Sequence, residues 1–433
     1  MLQTMRFNNK SRCYSCCRLG GVAGAAALTV SLAAGVATTT AGADPIQIEA
    51  PDAPKEIIFE TAWPGAITHW RPDRWFVDQT NRLAHGHVDI TYYDGGTFSS
   101  STDIFDDVQA GSIDMGSDWP SYWEGRNTAF SLITSVPMIF SPQDYMVWFW
   151  QYGGYELANE IYAQYNIKWW PHHIVPPEQG QLTTTPVRAL EDYEGLRLRQ
   201  CGRYQSRILE ETGASAVFLP GGEVYAGLDR GVIDGAEFAL PEIDWNMGLH
   251  EIADYVVRPG WHQPGPVGGL MMNRDAYEDL SDFAKYVFQN AAMSTMAWSY
   301  TFFEQTSGEY QGKWQEEGVE ISQLEQDALD QILAITEEML LDDARENPDH
   351  ATLAVSQYDM LMRMRDWRES QQPFVDGWVW DSMEDTYNEM VEIAQEHGVY
   401  EHAMEARDDA IARNKDQKHW VPGTEFTQNP IRD

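Results

Sequence analysis

The sequence predicts an α/β fold in two lobes, finished by long helices. Three observations carry that expectation: two separate runs of alternating strand-like and helix-like segments, a change to purely helical patterning after Asn273, and a length of 433 residues, enough for two cores.

The chain opens with Arg6, Lys10, Arg12 and Arg18 and no acidic residue through position 43. An apolar run from Gly20 to about Ala37 follows, then Ala41-Gly42-Ala43. These three regions make residues 1–43 a secretory signal peptide and place the mature protein in the periplasm. The apolar run is too short and too rich in Gly and Ala for a membrane span. Cys13, Cys16 and Cys17 leave with it, so Cys201 stands alone and no intramolecular disulfide supports the mature fold.

Losing four basic residues takes the net charge from −38 to −42. Such a field makes nucleic acid and anionic membrane surfaces poor partners. The acidity suits a salty medium, such as the periplasm of a halophilic bacterium, where screening mutes self-repulsion.

Residues 44–165 read as the first part of lobe I. Ile57-Ile58-Phe59 and Val88 to Tyr92 are strands around a helix near Phe76 to Leu83, and an aromatic helix is expected from Pro142 to Tyr165. Residues 166–239 read as the first part of lobe II. Leu196 to Gln200, Ala216 to Leu219 and Val232 to Phe238 are its strands, with helices over Arg203 to Thr212 and Gly222 to Asp229. Residues 240–345 cross back between the lobes and supply bracing helices, clearest over Ser281 to Gly308 and Gln323 to Arg345. Residues 346–433 form a helical extension with no derivable role.

Arg197 and Arg199 alternate on one strand and so face opposite ways, leaving one guanidinium for a cleft. A guanidinium matches a carboxylate through paired, charge-assisted hydrogen bonds. Asp234 and Glu237 also face oppositely, and Glu237, at the strand end where open α/β sheets place ligands, suits a cleft. A carboxylate beside a bound anion needs a bridging cation, and oxygen donors suit sodium, calcium or magnesium. His262, in the loop Gly260 to Gly265, sits beside Trp261 and reads as a packed side chain. The clusters Trp119 to Trp123 and Tyr145 to Tyr152 read as a ligand wall and as core, respectively.

TAWPG at Thr61, DDVQAGSIDMG at Asp106, SYWEGRN at Ser121, VPMIFSPQDYMVWFWQYGG at Val136, GLRLR at Gly195, LPGGEVYAGLDRGVIDGAEF at Leu219 and PGWHQPG at Pro259 occur in this order. Together they resemble the periplasmic solute-binding subunit of TRAP transporters, in the branch that binds 2-oxo acids and related monocarboxylates. The resemblance covers about Ile57 to Arg345. It implies a two-lobed periplasmic binding protein fold that closes over a small organic acid for delivery to membrane permease subunits. It puts the family's arginine on Arg199 and a pocket aromatic on Tyr122, with Glu178 or Gln179 near the place of a family glutamine. It also implies a metal site from Glu237, the Phe238 carbonyl and Gln263. Gln263 replaces the more common Glu, removing one negative charge, and Phe238 replaces Trp. Sodium or calcium would bridge the ligand, and no catalytic cofactor is implied. Some members of the branch pair by exchanging a C-terminal helix, so a homodimer through that region is an expectation.

Two other classes compete: a secreted carbohydrate-active hydrolase, suggested by 17 Trp and abundant acids, and a periplasmic sensor. No acid/base pair stands out from the acidic background, which speaks against the hydrolase.

Overall fold

The computed structural model describes residues 51–375 together with residues 395 and 401. The expected signal peptide and the end of the C-terminal extension lie outside the described residues. Strands in chain order are β1 (Lys55–Glu60), β2 (Val88–Tyr93), β3 (Met115–Asp118), β4 (Ile167–Ile174), β5 (Gln181–Thr183), β6 (Arg197–Arg199), β7 (Ser215–Val217), β8 (Gly235–Ala236), β9 (Tyr255–Arg258), β10 (Val267–Asn273) and β11 (Glu320–Gln323). They form a five-stranded sheet, β2-β1-β3-β10-β4, and a six-stranded sheet, β11-β9-β5-β8-β6-β7. Each sheet mixes parallel pairs with antiparallel ones. The chain passes from the first sheet to the second after β4 and returns at β10, so both sheets are completed by strands from both halves of the sequence.

The helices are α1 (Trp70–Leu83), α2 (Ile104–Ala110), α3 (Ala129–Thr134), α4 (Pro142–Gln151), α5 (Gly154–Ala163), α6 (Arg203–Glu211), α7 (Gly221–Asp229), α8 (Pro241–Asn246), α9 (Arg274–Glu278), α10 (Asp282–Glu316), α11 (Gln326–Glu346) and α12 (Pro348–Val375). The 35 residues of α10 span roughly 50 Å at 1.5 Å per residue. Its early turns bury Val287, Phe288 and Ala291 with Ile57, Phe59 and Leu270 of the first sheet. Its later turns bury Phe302, Phe303 and Trp314 with Leu182, Ala236 and Val256 of the second. One rigid rod thus seals both cores, each large buried side chain contributing roughly 2 kcal/mol. The start of the C-terminal extension joins this frame: α12 buries Leu353 and Met360 in the aromatic core of Trp148, Phe149 and Trp169.

Three sequence expectations shift. The helix expected over 142–165 is two helices, because Gly153 takes φ 81°, a left-handed conformation that ends α4. Strand β4 belongs to the first sheet, paired antiparallel with β10, so the passage between sheets falls after Ile174 and not at 165/166. Of the strand expected over Val232 to Phe238, only Gly235–Ala236 joins the ladder. Among the described residues no helix is long and apolar enough to cross a membrane.

Candidate functional site

Strand alternation divides the arginines of β6. Arg197 is exposed and pairs with Asp234, Nη2 to Oδ1 at 2.7 Å. Arg199 points the other way and is 1% exposed. Its Nη1 donates to Glu237 Oε1 at 2.6 Å and to the Glu237 carbonyl at 2.8 Å, while Nε donates to the Leu219 carbonyl at 3.1 Å. None of these bonds uses Nη2, whose two N–H groups are left to meet an incoming acid. Phe218 and Phe238 cover the guanidinium, their ring centroids 5.7 and 5.1 Å from its carbon.

Glu237 follows β8 directly, where its backbone N–H still bonds the Arg199 carbonyl. Its Oε1 also accepts the Cys201 backbone N–H at 2.5 Å. The Pro259 to Gly265 loop comes in from the side: Glu178 donates its backbone N–H to the Gln263 carbonyl at 3.1 Å. Gly260 is required there, since a Cβ would stand 1.9 Å from the Glu178 carbonyl oxygen. The loop brings His262 Nε2 to 2.9 Å from Glu178 Oε2 and 3.9 Å from Glu237 Oε2. Ligand atoms of Glu178, Glu237 and His262 all lie within 4.8 Å of one another. Gln205 holds the loop through the His262 carbonyl at 2.8 Å.

Burial sets the protonation here. It pushes the Glu178 carboxyl well above the usual range, aided by the Glu237 charge and opposed by Arg199. It lowers His262 to about 4 against the pull of Glu237. Burial thus disfavours charge on Glu178 and leaves His262 uncharged at neutral pH. Asp244, likewise pushed well up by burial, anchors Gln179 through Nε2 at 2.6 Å.

Four buried oxygens, Glu178 Oε1, Gln179 Oε1, Glu237 Oε2 and Gln263 Oε1, have no hydrogen-bond partner among the described residues. Leaving one buried acceptor unmade costs about 1–3 kcal/mol, so four around one loop mark a place fitted to something else. Hard oxygen donors of this kind fit sodium or calcium. Tyr122, half-buried, faces this region from the first sheet's side: its ring meets Phe218 at 5.5 Å and Trp63 at 6.4 Å.

The structure thus brings together Arg199, Glu178, Gln179, Glu237, Phe238 and Gln263, with Tyr122 opposite. Sequence reasoning set His262 aside and did not single out Asp244 or Gln205. The Gly-Pro-bounded loop was the available signal for His262, but its partner stands 84 residues earlier.

Buried Arg199 and the unpartnered oxygens beside it make a polar, water-poor place at the strand ends of the second sheet, suited to holding a small charged solute. The chain belongs to the bacterial extracellular solute-binding protein family 7, whose model matches residues 74–346. It is the solute-binding component of a TRAP-type transporter, a receptor and not an enzyme, and its family works outside the cytoplasm. It is similar to a monocarboxylate 2-oxoacid-binding periplasmic protein of Nostoc sp., 28% identical over 58% of this chain and 68% of that protein. Among solved structures, a TRAP periplasmic solute-binding protein of Colwellia psychrerythraea with bound calcium and pyruvate superposes with TM-score 0.70. It shares 25% identity over 75% of this chain and 99% of that one. A TRAP solute-binding protein of Bordetella bronchiseptica gives TM-score 0.74 at 20% identity, over 77% of this chain and all of the other. These neighbours share the two-lobed architecture.

Proposed function

We propose that this receptor captures a small monocarboxylate with a 2-oxo or 2-hydroxy oxygen and delivers it to the membrane permease, after export directed by residues 1–43. The observation that carries the reading is a buried guanidinium set beside four unpartnered buried oxygens. The ligand carboxylate takes the N–H groups of Arg199 Nη2, where charge-assisted bonds in a dry site are each worth roughly 1.5–3 kcal/mol. Tyr122 closes the cleft from the opposite wall.

Charge explains the cation. Arg199 and Glu237 already offset one another, His262 is uncharged and burial disfavours charge on Glu178, so a bound anion would stand alone in a buried site. Sodium held by Glu237, Gln263 and the Phe238 carbonyl restores balance. Calcium does so when Glu178 gives up its proton. Either ion supplies positive charge for the acid and its neighbouring oxygen to meet. The Nostoc relative named for 2-oxo acids and the Colwellia structure holding calcium with pyruvate support the same ligand class.

Calorimetry with pyruvate and calcium tests the assignment. Arg199→Ala is expected to weaken binding at least about 100-fold. Arg199→Lys, which keeps the charge beside Glu237 but loses the fork, is expected to weaken it about tenfold. Wild-type affinity in both variants would refute the role of Arg199.

A further inference from the structure

The cleft wall on the side of the first sheet holds a second set of polar atoms that the carboxylate site leaves unused. Trp63 follows β1, His69 precedes α1 and His173 lies in β4, yet their rings gather: Trp63 to His69 is 4.9 Å between centroids and His69 to His173 is 5.8 Å. Trp119 closes the group at 5.4 Å from His69 and 5.9 Å from His173. Local backbone makes this possible. The β4/β10 register slips between Gly268 and Gly269, opposite Pro171 and His173, and a Cβ on Gly268 would lie 2.0 Å from the His173 ring.

This box continues the Arg199 site. Phe238, whose ring covers the guanidinium at 5.1 Å, lies 6.4 Å from His69, and Tyr122 lies 6.4 Å from Trp63. The three rings are each at most 3% exposed, and Trp63 Nε1, His69 Nδ1 and His173 Nε2 have no hydrogen-bond partner among the described residues. Asp73 does not answer them, since its oxygens already meet Thr61 Oγ1 at 2.5 Å and His172 Nε2 at 2.7 Å. Burial holds His69 down to about 3 and His173 well below the usual imidazole range, the latter aided by His172. The box therefore offers nitrogen donors and acceptors without standing charge. A neutral oxygen satisfies such a set, whereas a second carboxylate would be buried with no cation to meet it.

Resting on the carboxylate reading above, we propose that Trp63, His69 and His173 form a second, uncharged subsite for a hydroxyl or carbonyl at the far end of the ligand. The carried acid is then a monocarboxylate with a distal neutral oxygen, favoured over a plain alkyl acid and over a dicarboxylate.

Calorimetry in calcium compares 4-hydroxy-2-oxobutanoate with its alkyl isostere 2-oxopentanoate and with 2-oxoglutarate. The hydroxylated acid is expected to bind the wild type about tenfold more tightly than the isostere, with 2-oxoglutarate weakest. Trp63→Phe, which keeps a ring but loses the N–H, is expected to bring the first two within about twofold of each other. Equal affinity for the isosteric pair in the wild type overturns the subsite alone, and so does a preference that survives in Trp63→Phe. Absence of binding by all three acids sinks the carboxylate reading and the subsite together.

Discussion

Asp118, at the end of β3, and Glu237, just past β8, are both wholly buried carboxylates at strand ends, one in each sheet. Asp118 is surrounded by donors: Trp123 Nε1 meets one oxygen, while Tyr162 Oη and Trp169 Nε1, the latter at 2.8 Å, meet the other. Glu237 spends one oxygen on Arg199 and Cys201 and leaves the other unmatched, beside an equally unmatched oxygen of Glu178. The difference teaches that burial alone does not mark a functional carboxylate. A completed hydrogen-bond shell makes a brace; an incomplete one makes a place for a guest.

The comparison breaks if removing Asp118 disturbs ligand binding. Asp118→Ala strands three buried donors, and we expect the largest loss of stability here, about 5 kcal/mol near pH 4, with pyruvate affinity within about twofold of wild type. Burial pushes the Asp118 carboxyl up to about 6, even against its three donors. A carboxyl that holds its proton more tightly in the fold than in the unfolded chain contributes most at low pH and progressively less as pH rises toward 6. At 1.36 kcal/mol per pKa unit, the gap between wild type and Asp118→Ala narrows by about 2 kcal/mol between pH 4 and pH 7. Urea unfolding at the two pH values reads both effects. A gap that widened with pH would overturn the assignment.

Glu178→Gln sharpens the other side. Glutamine copies the shape of the neutral acid that burial favours, so stability without ligand is expected to change by less than about 1 kcal/mol. The amide cannot become a carboxylate when a divalent ion arrives, so calcium affinity in the presence of pyruvate is expected to fall about 30-fold. Sodium affinity should fall much less. Calorimetry with each ion decides it, and unaltered calcium binding would move Glu178 out of the site.

How much of this was legible depends on the distance over which each feature is determined. The outward Arg197 and inward Arg199 follow from a period of two within three residues, and the opposed Asp234 and Glu237 follow the same way. His262 could not be read as a neighbour of Glu178, because only the folded Pro259 to Gly265 loop brings them together. The aromatic cluster at Trp119 to Trp123 read as a ligand wall, yet it divides its work: Trp119 packs into the histidine box and Trp123 holds Asp118. The place of β4 was hidden for a related reason. Its sheet is chosen by pairing with β10, roughly 100 residues later, and its own buried sequence suits either sheet.

Glu242 tests whether the same contrast extends to motion. It is 2% exposed in α8, and its shell is complete, but two of its donors come from the far side of the cleft: Thr68 Oγ1 at 2.9 Å and Arg71 Nη1 at 2.9 Å. The third, Asn246 Nδ2 at 2.5 Å, is local. A carboxylate satisfied by donors from the other half is satisfied only when the halves meet, so it favours the closed form without touching the guest. Glu242→Gln keeps the size and weakens the charged bond to Arg71. Its expected effect is the smallest of the set, about a fivefold loss of pyruvate affinity, together with a larger radius of gyration for the unliganded protein in small-angle scattering. Unchanged scattering with unchanged affinity would place Glu242 beside Asp118, as a brace with no part in closure.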